Sequence, residues 1–132
     1  MKRRKSRDIA FQIIYAMELS GENKEAVLKK FASVSKDAEP DVWTYAMQLL
    51  DWTIDLTADL NESLKPVLEH WTLERLSKVD KALIYMGCAE IELGETPAAV
   101  VIDEIVELAK IYGDPNSPGF VNGIVDAWRK KR

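Results

Sequence analysis

Helical spacing, punctuated by glycine and proline, is the feature of this sequence that most limits its fold. Apolar residues recur every three or four positions, and the alternation typical of half-buried strands is absent. Gly21, Gly94 and Gly113 fall where helices are expected to end. Pro40 and Pro118 fall in expected first turns. We therefore expect an all-α fold, with helices over residues 4–20, 23–34, 40–64, 67–73, 78–93, 103–112 and 118–130.

The composition suits one domain without a membrane span or a metal centre. A chain of 132 residues that is 47% hydrophobic is long enough to bury a core. No apolar run approaches the ~18 residues that a spanning helix needs. The single cysteine, Cys88, excludes an internal disulfide, and His70 is the only histidine. We expect a cytoplasmic protein with no cofactor and no metal.

Positive charge is concentrated at the two ends of an otherwise acidic chain. Residues 1–7 carry five basic groups and residues 129–132 carry four. Residues 8–128 hold nine basic groups and all 22 acidic groups, so the formal net charge of −4 conceals basic ends on an acidic body. Such ends attract phosphate or an anionic membrane surface, whereas the body favours basic protein partners.

The first predicted helix places basic and aromatic side chains on one face. At about 100° per residue, Arg4, Arg7, Phe11 and Tyr15 share the side opposite an apolar face. Arginine binds phosphate and aromatic rings stack on unpaired bases, a combination typical of binding to single-stranded RNA. The alternative is that Phe11 and Tyr15 pack beneath another helix. The apolar face comprises Ile9, Ala10, Ile13, Ile14, Ala16 and Met17.

A second candidate site is the turn that contains YGDPNSPGF and leads into the last predicted helix. Ser117 is expected to cap that helix, whose N-terminal N–H groups make an anion site. Phe120, in the first turn, could reach a base. Gly123 inside the helix costs about 1 kcal/mol relative to alanine, which predicts close packing at that position. The alternative is a capped helix that simply docks on the core.

Acidic residues flank the start of the helix predicted at 78–93. Glu69, Glu74 and Asp80 could form a carboxylate pair, but no nucleophile, phosphate loop or metal motif accompanies them. A solvated or partner-binding acidic patch is therefore favoured over an enzyme site. Asp103 and Glu104 are predicted to lie in a first helical turn, where the helix dipole favours negative charge.

Four segments, in order and spacing, resemble motifs of the bacterial transcription antitermination factor NusB family. The family's arginine-rich first helix is matched by RRKSRDIAFQIIYAMELS, and its W-x-L-x-R-L segment by WTLERLSKVDKALI. Two further motifs are matched by PAAVVIDEIVELAKIYG and by SPGFVNGIVDAW, which contains F-V-N-G. The resemblance spans nearly the whole chain and is weakest over residues 22–65.

The resemblance implies one NusB-like domain over residues 1–132, with about seven helices in two halves that each resemble a three-helix bundle. It implies binding to the boxA element of nascent RNA jointly with NusE, a small-subunit ribosomal protein. It also implies a place in an RNA polymerase complex that opposes premature termination, notably in ribosomal RNA operons, and no enzymatic activity. A homodimer is left open.

The resemblance also assigns site residues by motif position. Glu74 and Asp80, the acidic positions around R-L-S, would face NusE. The positions that would contact RNA are Lys2, Arg3, Arg4, Lys5, Arg7, Tyr15, Asn116, Ser117 and Phe120.

This chain departs from the family pattern at several positions. Gly119 stands where the family often has lysine, which removes a phosphate contact, and Asn116 stands where it often has an acidic residue. Tyr85 and Ala89 replace an arginine and an aromatic residue, which leaves the core packing around them open.

Three alternatives remain at the level of the sequence. The first is a NusB-like helical adaptor that binds protein without specific RNA binding. The others are an accessory domain of the kind found ahead of RNA cytosine methyltransferase domains, and a peripheral membrane binder that uses the basic ends.

Overall fold

The computed structural model describes residues 2–68 and 75–132, and in these ranges it contains helices and turns without a strand. None of the helices there is both long and apolar enough to cross a membrane. The expected all-α fold is confirmed. The described α-helices are α1 (Lys2–Ser20), α2 (Lys24–Lys30), α3 (Ala32–Asp37), α4 (Pro40–Ser63), α5 (Lys78–Leu93), α6 (Ala98–Tyr112) and α7 (Ser117–Lys130), with a 3₁₀ helix at Lys65–Leu68.

Two groups of helices meet along α5. In the first group, α1 packs on α2 and α4, and in the second, α5, α6 and α7 pack on one another. Helix α5 also contacts α1 and α4, so it is the element that both groups share. This arrangement agrees with the two bundle-like halves that the family resemblance implies.

The centre of the core is α5, which is buried without interruption from Ala82 to Glu90. A helix that is buried on every side must lie inside the fold rather than at its surface. Tyr85 and Ala89 lie in this stretch, so both departures from the family pattern are accommodated in the core. The Tyr85 hydroxyl donates a hydrogen bond to Asn61 on α4, which satisfies its polar end.

Two predicted helices differ from the observed ones by more than two residues, and a third lies mostly outside the described residues. The helix expected at 23–34 is divided at Phe31, whose backbone ends α2 and whose ring packs on the core. Helix α6 begins at Ala98 rather than at 103, because Val101 and Ile102 already face the core. Of the helix expected at 67–73, only the 3₁₀ turn up to Leu68 falls in the described residues. Trp71 and His70 lie outside them.

Close packing at a glycine occurs on α5 and not where the sequence predicted it. A Cβ atom at Gly87 would lie 2.7 Å from the Ile105 Cδ1 atom, so this glycine allows α5 and α6 to approach. Gly123 is exposed, and a Cβ atom there would have nothing within 4 Å. The prediction that Gly123 serves close packing is therefore wrong.

Candidate nucleic-acid interface

The N-terminal end of α1 lies between α4 and α6, and its basic side chains divide between the two neighbours. On the α4 side, Lys2 Nζ lies 2.8 Å from Asp41 Oδ2, and Arg3 stacks on the Tyr45 ring. On the α6 side, Arg4 contacts Glu104. The basic sequence run therefore forms two differently directed surfaces rather than one continuous stripe.

Arg4 is an exposed cation held by one carboxylate. Its Nε and Nη2 atoms donate to the two Glu104 oxygens at 3.3 and 2.9 Å, and the Arg4 side chain remains 58% exposed. The hydrogen bonds to Glu104 raise the Arg4 pKa above its usual value. Ion pairs this exposed are weak in water, and a guanidinium fork fits phosphate as well as carboxylate. Arg4 can therefore exchange Glu104 for a phosphate group.

Arg7 is inside the protein, which corrects its assignment as an RNA contact. Only 3% of the residue is exposed to solvent. Its Nε and Nη2 atoms each donate a hydrogen bond to one of the Glu90 carboxylate oxygens, at 2.8 and 2.7 Å. The Tyr45 hydroxyl donates to the same carboxylate at 2.7 Å. Burial opposes the Arg7 charge, but the hydrogen bonds and charge of Glu90 outweigh it, so the Arg7 pKa is raised. Arg7 joins α1 to α5 and does not face solvent.

The first helix also has an open side that faces α3 and the start of α4. Lys5 is exposed there, at the edge of a groove of about 510 Å³. Ile9, Val34 and Val42 line the same groove. Among the described residues, the Lys5 ammonium makes no ion pair, although Asp8, Asp37 and Glu39 line the same groove.

Three aromatic rings form a continuous column between α1 and the end of α6. Phe11 stacks on Tyr15 with ring centroids 5.7 Å apart, and it meets Tyr112 at 4.8 Å. The Tyr112 hydroxyl donates to Asp8 Oδ1 at 2.6 Å. Phe11 is fully buried, which confirms the packing alternative for that residue, whereas Tyr15 and Tyr112 are partly exposed.

The register of α1 against α6 directs Tyr15 towards the α6–α7 turn. Arg4 contacts Glu104 and Phe11 contacts Tyr112, so the two helices run in the same direction. Tyr15 lies one helical turn beyond Phe11, and α6 ends at Tyr112. The two regions predicted separately from the sequence are therefore neighbours in the fold.

The α6–α7 turn is ordered by Asp114, which takes the role expected of Ser117. Asp114 Oδ1 accepts hydrogen bonds from the backbone N–H groups of Asn116 and Ser117 at 2.8 and 3.1 Å. Ser117 is 1% exposed, and its hydroxyl accepts from the Asp114 N–H. Its assignment as an RNA contact is therefore corrected to a support of the turn. Asn116 remains exposed at the tip.

A groove of about 400 Å³ connects this turn with the start of α5. Its lining includes Arg75, Asp80, Asn116 and Phe120. Ser77 Oγ accepts the Asp80 N–H at 3.0 Å and so caps the N-terminus of α5. Asp80 is buried, and its Oδ1 atom has no hydrogen-bond partner in the described structure. The residue predicted to bind protein thus shares a groove with two residues predicted to bind RNA, while Glu74 lies outside the described residues.

Several residues of this region were not identified from the sequence. Glu104 was assigned to the helix dipole, yet it lies in the second turn of α6 and binds Arg4. Glu90 carried a usable signal, because it is a carboxylate in an apolar run from Ala82 to Ile91. Tyr112 showed no such signal, since a tyrosine at the end of a helix is compatible with many roles.

The fold and these surfaces define a class of protein. They describe a small all-helical protein whose exposed basic helix end, aromatic column and polar turn form a candidate RNA-binding surface. A groove lined by Arg75, Asp80 and Asp114 adjoins that surface.

Comparisons with known proteins identify the family. A model of the NusB family matches residues 4–130. Transcription antitermination protein NusB of Koribacter versatilis (strain Ellin345) is 32% identical over 126 residues, which covers 95% of this chain and 86% of that protein. The protein of the same name from Staphylococcus aureus (strain bovine RF122 / ET3-1) is 32% identical over 134 residues, covering 98% and 100%.

A solved structure supports the same conclusion. A crystal structure of antitermination factors NusB and NusE in complex with dsRNA matches this fold with a TM-score of 0.89 and 28% identity, covering 99% of this chain and 98% of that one. The chain belongs to the NusB family, and both relatives named above are transcription antitermination proteins.

Proposed function

We propose that this chain acts as a transcription antitermination factor that binds the boxA element of nascent RNA jointly with NusE. In this role it joins an RNA polymerase complex and supports processive transcription of ribosomal RNA operons. Relatives that bear the antitermination name, and a matched structure that holds NusB with NusE and dsRNA, support the proposal.

One observation carries the RNA part of the proposal. Phe11 contacts both Tyr15 and Tyr112, and these contacts join α1 to the end of α6 from which the α6–α7 turn begins. The partly exposed rings of Tyr15 and Tyr112 can stack on bases while Arg4 and Lys5 bind the phosphate backbone. Asn116 adds an amide that can donate to and accept from a base edge.

Asp80 supports the protein part of the proposal, because its buried Oδ1 atom has no hydrogen-bond partner within residues 2–68 and 75–132. A buried carboxylate oxygen without a donor is unfavourable, and a basic side chain from a partner would satisfy it. Asp80 lies in the groove that also contains Asn116 and Phe120. We infer that NusE binds beside the RNA, close enough for each ligand to affect the other.

We infer that the role is binding rather than catalysis, and that the protein works in the cytoplasm where transcription takes place. The carboxylates of the candidate site hold arginine or order a turn, as Glu104 and Asp114 do.

Fluorescence anisotropy tests this function directly. Labelled boxA RNA and a scrambled RNA of equal length are titrated with the protein, with and without NusE, across a salt series. We expect boxA to bind more tightly, and NusE to strengthen boxA binding. Equal, weak and salt-sensitive binding to both RNAs, unaffected by NusE, would instead support the adaptor that lacks specific RNA binding.

Matched variants assign the roles of individual residues. Lys5→Gln should flatten the log–log salt slope by about 0.7, the value for one phosphate contact to a single strand. Lys29→Gln, an exposed lysine on α2, is its control. Asp80→Asn should weaken NusE binding, whereas Asp59→Asn, an exposed position on α4, should not. An unchanged NusE affinity in Asp80→Asn would remove Asp80 from the partner surface.

A further inference from the structure

A second basic and aromatic cluster lies on the α4 side of α1, away from Arg4. The Arg3 guanidinium carbon is 3.5 Å from the centroid of the Tyr45 ring, and the Tyr45 ring meets Trp52 edge to face at 5.9 Å. Gln48 lies between the two rings along α4. We refer to Arg3, Tyr45, Gln48 and Trp52 as the α4 row.

Two open grooves follow this row, one on each side of Arg3. One, of about 400 Å³, includes Lys2 and Thr44 in its lining, and the other, of about 300 Å³, includes Trp52 and Thr96. Arg3, Tyr45 and Gln48 line both grooves. The row is therefore reachable from solvent along its length.

The chemistry of the row fits an unpaired base. One face of the Arg3 guanidinium covers Tyr45, and because Arg3 is exposed, its other face can stack on a base. Trp52 is half-buried and offers a second aromatic surface. The Gln48 amide can both donate to and accept from a base edge.

We propose that the α4 row is a second subsite for single-stranded RNA, which binds nucleotides that flank the segment held by the α6-facing surface. The inference rests on the proposed function and extends it. Arg3 and Arg4 are consecutive on α1 but contact α4 and α6 respectively. One RNA strand that crosses the N-terminal end of α1 would contact both surfaces.

The charges around the row set the orientation of the strand. Lys2 and Arg3 attract phosphate, but Lys2 is paired with Asp41 and Glu39. Glu95 lines the groove that contains Trp52 and repels phosphate. The bases rather than the phosphates are therefore expected to face Trp52. Glu95→Gln should consequently tighten the binding of an RNA that reaches this groove.

The test compares boxA RNA with boxA RNA extended by about four uridines at one end or the other, a length that matches the smallest single-strand sites. The wild-type protein should bind one of the extended RNAs about tenfold more tightly than boxA alone, as expected for one added stack on an aromatic ring. Arg3→Gln and Trp52→Leu should each lose most of this gain, and Trp52→Leu should also keep the affinity for unextended boxA.

Two controls separate the subsite from general effects. Lys29→Gln removes an exposed lysine on α2, and Trp43→Leu removes another half-buried tryptophan of α4 that lines neither groove. Both should retain the gain from extension. Because Arg3 is exposed, Arg3→Gln leaves the core intact, and it keeps the proposal testable if Trp52→Leu is unstable.

A covalent readout locates the extension. RNA with 4-thiouridine in the extension should crosslink, on irradiation, to peptides that contain Tyr45 or Trp52. A wild-type protein that binds boxA but gains nothing from either extension would refute the subsite and leave the row as packing between α1 and α4. A gain that persists in both variants would refute it as well. Failure to bind boxA at all would refute the proposed function instead.

Discussion

Substitutions at the buried ion pair of Arg7 and Glu90 can distinguish a structural role of Arg7 from a role in RNA binding. Arg7 donates two hydrogen bonds to Glu90 at 2.8 and 2.7 Å, with both side chains removed from water. Glu90→Leu would remove both hydrogen bonds and leave the buried Arg7 charge facing the more distant Glu104 Oε1 atom, at 3.7 Å. Breaking a buried pair in this way costs about 3–5 kcal/mol of unfolding free energy. That is a large share of the roughly 5–15 kcal/mol that stabilises a typical domain.

The double variant Arg7→Met/Glu90→Leu should recover most of this loss. Replacing both charges by apolar side chains of similar size removes the desolvation cost together with the attraction. The remaining cost is the Tyr45 hydroxyl, which loses its carboxylate acceptor and about 1 kcal/mol. We therefore expect the double variant to be within about 2 kcal/mol of the wild type.

Urea unfolding at neutral pH measures the stability of both variants, and fluorescence anisotropy with boxA RNA measures their RNA affinity. Since Arg7 is buried, the double variant should bind boxA within about twofold of the wild type, with an unchanged salt slope. A Glu90→Leu cost below about 1 kcal/mol would show that the pair is solvated. A double variant that folds but has a salt slope flatter by about 0.7 would show that Arg7 contacts RNA phosphate after all.

Four further predictions follow from individual residues. A Cβ at Gly119 has open space, so Gly119→Lys should restore a phosphate contact and steepen the salt slope by about 0.7, whereas Gly119→Gln should not. Glu104→Gln should release Arg4 and raise boxA affinity about twofold to fivefold at low salt, and an unchanged affinity would show that Glu104 does not compete with RNA. Gly87→Ala should lower the free energy of unfolding in urea by about 1–3 kcal/mol, and adding Ile105→Val should recover part of that loss. Gly123→Ala should instead raise the free energy of unfolding. Equal effects at both glycines would contradict the packing described. Burial and the Glu90 hydrogen bond raise the Tyr45 pKa from 10 to about 12, so its neutral form contributes stability below pH 10 that is lost as the pH rises to about 12. Tyr45→Phe should reduce this alkaline loss in urea unfolding, and an identical loss in both proteins would exclude Tyr45 as its source.

The sequence predicted helices best where local signals mark both ends. Ser77 and Gly94 bound α5 as expected, because an N-cap hydroxyl and a C-terminal glycine act within a few residues. The break at Phe31 depends on packing against the rest of the core, and no local signal marks it. The early start of α6 was obscured because Asp103 resembles a first-turn residue.

The candidate site was predictable in its regions but not in its pairings. Residues of α1 and of the α6–α7 turn were assigned from motifs, and Tyr15 and Asn116 do lie on exposed or partly exposed surface. Arg7 and Ser117 were misassigned because their partners decide their exposure. Arg7 is hydrogen-bonded to Glu90, which is 83 residues away in the sequence. Helical spacing places a side chain on a face, but it does not say which element will cover that face.

The paired carboxylates change what the basic N-terminal end can do. Five cations in the first seven residues predict a steep salt slope, near −3.5 at about −0.7 for each phosphate contact. Arg7 is buried, and Lys2 and Arg4 already bind Asp41 and Glu104. RNA that displaces these carboxylates leaves them to attract cations from solution, which offsets part of the counterion release. The acidic body therefore limits nonspecific attraction to any RNA, so discrimination must come from the aromatic column, the turn and the partner bound beside them.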